Sequence, residues 1–171
     1  MHTDHKYVNY FDVDRTENAR FRLTSSLLLA GRQWRRLAQQ VLAAHDISEA
    51  RAAALIWVGR LGGGVRQVVL AGYVGIRGTS VVRLLDELGT IGLIERRPDP
   101  DDRRANLIWL TPAGEELAEQ IEAALSELRE RVLGDVTDAD VEAALRIFAA
   151  LDRASGGFQA LAVLPPPELT P

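Results

Sequence analysis

The apolar positions along the chain change period several times, and each change marks an element. From Arg20 to about Ala44, Leu23, Leu27, Ala30, Trp34, Leu37 or Ala38, and Val41 recur three or four residues apart, which predicts one long amphipathic helix. His45-Asp46-Ile47 breaks it, and Ser48 is placed to cap a second helix through Arg60, closed by Gly62-Gly63-Gly64. A short third helix follows from Gln67 to about Val74, with Val68, Leu70, Ala71 and Val74 on one face and Gly75 ending it. After Ile76 a fourth begins, with Val81, Leu84, Leu85 and Leu88 on one side and Thr79, Ser80, Arg83 and Glu87 elsewhere. Two helices joined by so short a turn predict a helix-turn-helix.

Beyond Gly89-Thr90-Ile91-Gly92 the period becomes strand-like over Leu93 to Arg97, turns through Pro98-Asp99-Pro100-Asp101-Asp102, and returns from Arg104 to Leu110. This predicts a charged β-hairpin. Thr111-Pro112 then opens a helix carrying Leu117, Ile121, Leu125, Leu128 and Val132, stopped by Gly134. Thr137, with Asp140 three residues on, caps a last helix carrying Val141, Leu145 and Phe148 to about Arg153. The expected architecture is mainly α with a small β-hairpin wing, a winged helix-turn-helix over 48–111 plus a helical dimerisation bundle from 20–47 and 112–154. Residues 1–19 form an N-terminal extension, and the proline-containing tail, 155–171, is expected to be loosely ordered. The stripes on the first and last two helices exceed what one small lobe covers, so they are expected to pack with a second copy of the chain as a homodimer.

Two helices and a charged hairpin suit duplex DNA. The N-terminal residues of the second helix reach base edges in the major groove, which places Arg77, Thr79, Ser80 and Arg83 at the contact, with Gln67 at the start of the preceding helix. Arginine matches guanine O6 and N7, and hydroxyls suit bases or phosphates. On the wing, Arg103 and Arg104 fit the narrow, electronegative minor groove. Blander roles compete: the arginines as solvated charges, Thr79 and Ser80 as a helix cap. Asp102 is better read as an orienting partner, because a carboxylate repels phosphate.

The run Leu70-Ala71, Gly75-Ile76, Ser80 to Leu88, Gly92 to Arg96, Asp101 to Ala105 and Leu110-Thr111-Pro112-Ala113-Gly114 resembles the MarR family of bacterial regulators, and within it the SlyA-like branch. The tightest part is the wing signature of Asp102, Arg104, Leu110, Thr111 and Gly114. The resemblance implies a homodimer that binds a palindromic operator as a repressor, and release by small aromatic or anionic ligands. It further implies an effector cavity between dimer helices and DNA lobe, for which Trp34 and Trp57 are candidate walls and Arg35 and His45 candidate anion partners, against the plainer role of tryptophan as core. Asn106 stands where a basic residue is frequent, and Val65-Arg66 replaces the small polar cap common before the third helix.

Composition narrows the alternatives. The 171 residues are 47% hydrophobic, enough for a real core, and the net charge of −4 argues against a generally basic coat. Between Arg66 and Arg104, seven arginines face six carboxylates, so the DNA lobe is the least acidic part. The absence of cysteine excludes disulfides, thiol sensing and Cys-zinc sites. No apolar run is long enough to span a membrane and no signal core opens the chain, so a cytoplasmic location is expected. An enzyme is not expected: no Ser, His and acid stand at suggestive spacing, and Gly62-Gly63-Gly64 lacks the flanks of a phosphate-binding loop. No cofactor or metal is expected either, since His2 and His5 make an isolated pair. The competing class is a winged-helix module that binds protein without DNA.

Overall fold

Six helices and three short strands follow one another in a computed structural model that describes residues 15–76, 79–102 and 105–154. They are α1 (Arg15–Ala43), α2 (Glu49–Arg60), β1 (Val65–Arg66), α3 (Gln67–Val74), α4 (Thr79–Thr90), β2 (Ile94–Pro98), β3 (Asn106–Leu110), α5 (Pro112–Leu133) and α6 (Asp138–Ala154). The chain divides into two units, 1–37 and 38–171.

In the first unit α1 starts at Arg15, five residues before the sequence pattern, because the polar residues ahead of Arg20 extend the helix without adding to its apolar stripe. Phe21, Leu28, Leu29 and Trp34 are exposed along it.

The second unit holds the core. Ser48 caps α2 by accepting the Arg51 N–H, and Ala52, Ala54, Leu55 and Val58 are buried on that helix. Around α2 pack α3, α5 and β3, and Leu70, Leu85, Leu88, Ile108 and Ile121 join the same cluster with no more than trace exposure. Each such side chain contributes about 1.5–3 kcal/mol of burial. The three strands form one antiparallel sheet in the order β1-β3-β2, with Val65 opposite Ile108 and Ile94 opposite Leu110. Strand β1 was not foreseen: Val65-Arg66, expected only as an atypical cap, pairs with the returning hairpin strand, and Arg66 makes no side-chain cap to α3.

The expected face of α3 also needs correction. Leu70 is its one fully buried residue, with Ala71 and Val74 half-buried against the same core, whereas Val68, about 200° around the helix from Leu70, is 67% exposed. The last helix, α6, has no fully buried residue and exposes Val141, Leu145 and Leu151. Among the described residues no single helix is long and apolar enough to cross a membrane.

Candidate nucleic-acid interface

Gly75 adopts the left-handed conformation, φ 73°, at the end of α3, where a side chain is strained, and the N–H groups of Gly75 and Ile76 close the helix on the carbonyls of Gly72 and Ala71. The chain bends by 102° from α3 to α4, within the range of a helix-turn-helix. Helix α4 buries Val81, Leu84, Leu85 and Leu88 and turns Thr79, Ser80, Val82 and Arg83 outward. The Arg83 side chain is 84% exposed. Gln67 is half-buried at the start of α3. Arg77, Arg103 and Arg104 lie outside the described residues, as do His2 and His5 and the tail beyond Ala154.

The arginines of this lobe are not bare charges. Arg83 Nε donates to Glu87 Oε1 at 2.8 Å, and Arg51 Nη2 on α2 donates to Glu87 Oε2 at 2.9 Å. These bonds, Arg51 first, hold the Glu87 carboxyl below the usual carboxylate range. Arg96 on β2 reaches Asp86 on α4 at 2.7 Å, tying the wing to the outer helix. Arg97 pairs with Glu95 and also lies over the Trp109 ring, 4.7 Å from its centroid. With Arg60 on Glu122 and Arg66 on Asp99, all six arginines described between 48 and 111 have a carboxylate partner.

Asp99 anchors the wing tip, a role not singled out from sequence. It is 5% exposed. Its Oδ1 accepts the Asp101 N–H at 2.9 Å and its Oδ2 accepts Arg66 Nε at 2.8 Å, so the hairpin turn is pinned to β1. The Asp101 N–H is the strongest influence; burial opposes it, Arg66 reinforces it, and the carboxyl is held below its ordinary value of 3.8. A depressed folded-state pKa stabilises the protein above the unfolded value and loses that contribution as pH falls through the folded one. Denaturation of the wild type is therefore expected to show an acid-sensitive limb below about pH 4 that Asp99→Asn reduces. Chemical unfolding from pH 3 to 7 checks it; identical pH slopes would refute the assignment.

The wing signature is a structural lock. Thr111 Oγ1 accepts the Gly114 N–H at 3.1 Å and donates to the Gly92 carbonyl at 2.6 Å, while the Thr111 N–H reaches the Leu93 carbonyl at 3.1 Å. A Cβ on Gly114 would collide with that same Leu93 carbonyl. The threonine thus caps α5 and holds its first turn on the α4–β2 loop, and glycine is what lets the two backbones meet. Trp109 makes a similar demand: its ring fills the space where side chains on Gly63 and Gly64 would stand.

Of the candidate effector residues, Trp34 and Arg35 lie on the first unit's part of α1, with Trp34 37% exposed. His45, just beyond α1, is half-buried. Trp57 is half-buried on α2 and stacks at a tilt on Tyr73 of α3, ring centroids 4.5 Å apart. Among the described residues no group of His, Asp and Glu is arranged to hold a metal ion.

A family model described as MarR family matches residues 45–105. The transcriptional regulator PA3341 is 32% identical, with a TM-score of 0.68 over 77% of this chain and 98% of that one. A mutant MarR from E. coli, complexed with operator DNA, is 23% identical and superposes with a TM-score of 0.66 over 78% of this chain and 96% of its own. CouR from Rhodococcus jostii RHA1, bound to p-coumaroyl-CoA, is 21% identical, with a TM-score of 0.66 over 75% and 90%.

Proposed function

Since the chain belongs to the MarR family and is a DNA-binding transcriptional regulator rather than an enzyme, we propose that it binds a palindromic operator as a homodimer, acts as a repressor, and is modulated by a small aromatic or anionic ligand. The observation that carries the proposal is α4: its inner face is locked into the core by four buried side chains, and its first turns present Thr79, Ser80 and Arg83 outward. Gln67, Arg77 and the wing arginines Arg103 and Arg104 complete the DNA contact. The SlyA-like branch is proposed on the wing signature, and a cytoplasmic location follows from acting on DNA.

Dimerisation is supported by apolar side chains exposed on α1, Phe21 and Leu28 foremost, and on α6, Val141, Leu145 and Leu151. The divisions 1–19, 20–47, 48–111, 112–154 and 155–171 are proposed as extension, dimerisation helix, DNA-binding domain, dimerisation helices and tail. For the effector, Trp34 and Trp57 are proposed as apolar walls with Arg35 and His45 as anion partners. The CouR complex makes an aromatic acyl ligand a reasonable class to test.

Selection of duplexes from a random pool by the full chain tests this. Enrichment of one two-fold symmetric sequence is expected, weakened when aromatic acids are added. A pool that stays random would remove the DNA function and favour a protein-binding module.

A further inference from the structure

Glu87 occupies an unusual place on the outer helix. It is one helical turn beyond Arg83, shared through separate oxygens by Arg83 at 2.8 Å and Arg51 at 2.9 Å. The three side chains line an open groove of about 590 Å³ along α4, with Thr79, Val82 and Ile91. Their exposures differ: 84% for Arg83, 35% for Glu87 and 33% for Arg51. The outermost member is the most exposed, and the inner two bridge α2 and α4.

We propose that Glu87 is a specificity-determining residue, an internal competitor for Arg83 that keeps this arginine off DNA phosphates until a base edge offers it two acceptors. This rests on the reading of Arg83 as a base contact. A phosphate only exchanges one charge-assisted pair with Arg83 for another of the same kind, so on non-operator DNA Arg83 gains little by leaving Glu87. Guanine O6 and N7 accept a guanidinium in a bidentate fork and outcompete it. Arg51 makes the exchange possible. When Arg83 leaves, Glu87 keeps a cationic partner, so no uncompensated carboxylate is left facing the DNA. Asp86, the other carboxylate lining this groove, is engaged by Arg96 at 2.7 Å and does not take Glu87's place.

The test compares wild type, Glu87→Gln, Arg83→Ala and the double variant, as full chains. The probes are a duplex enriched from the random pool by wild type and a shuffled duplex of equal length. Glu87→Gln removes the carboxylate partner of both Arg83 and Arg51, and Arg83, the far more exposed of the two, is the cation released to shuffled DNA. The variant's affinity there is expected to rise about 3- to 10-fold, and the slope of log K against log salt to steepen by about 0.9. Affinity for the enriched duplex rises less, so the ratio of the two falls. In the Arg83→Ala background Glu87→Gln should then change neither, which separates competition for Arg83 from the loss of one negative charge. An unchanged ratio and slope for Glu87→Gln, or an equal effect in both backgrounds, would overturn the competitor role while leaving Arg83's contact intact. If Arg83→Ala alone leaves binding to the enriched duplex unchanged, the base contact fails and the competitor role with it.

Discussion

Gly114→Ala is expected to destabilise the fold by about 3 kcal/mol, the upper part of the range for overpacking a tight site. At this chain length that corresponds to a fall in Tm of about 6–12 °C. The cause is local. The added methyl meets the Leu93 backbone carbonyl, which cannot rotate aside as a flexible side chain would. That carbonyl also accepts the Thr111 N–H, so relieving the clash pulls on the α5 cap as well. Gly89→Ala is the matched control. It lies inside α4 with open space where its Cβ would stand, and alanine there should be neutral or stabilising by up to about 1 kcal/mol. Thermal melts of the two variants check the contrast, and equal melting shifts would show that the lock at Gly114 is not as tight as described.

Arg83→Ala is expected to cost about 1 to 3 kcal/mol per half-site on operator DNA, roughly 5- to 150-fold in affinity, if Arg83 reads a base. Its stability effect should be small, because the side chain is 84% exposed and its one ion pair lies on the helix surface. The signature of base reading is positional. Single-base variants of the operator should bind wild type unequally at one position of each half-site, and Arg83→Ala should bind them equally there. Uniform weakening, with a salt slope shallower by about 0.9 per contact, would mark a phosphate contact instead.

The elements that carry the site were legible because each has a local cause. Gly75 ends α3 at the residue expected, and Val81, Leu84, Leu85 and Leu88 are the buried face of α4 as their spacing predicts. Ser48, Thr111 and Thr137 stand at helix starts as capping residues. What was not legible depends on residues far apart in sequence. Strand β1 has two residues and therefore no period to detect; its existence depends on Ile108 and Leu107 returning beside it. The Arg66–Asp99 pair joins positions that only hairpin closure brings together, and Asp99 looked like one turn acid among three. The three glycines after α2 read as a terminator, whereas Gly63 and Gly64 also make room for Trp109. Arg83 and Glu87 were read only as lying off the apolar face of α4; their i,i+4 spacing allows the pair, but nothing local announces that Arg51 claims the other oxygen.

Two copies of α4 are expected to enter successive major grooves of one duplex. Hydroxyl-radical footprinting of the full chain on its enriched duplex, with the bound stoichiometry measured in parallel, tests it most directly. Two chains per duplex and two symmetric protected patches about 34–36 Å apart are predicted. One chain per duplex, or a single patch without two-fold symmetry, would contradict it.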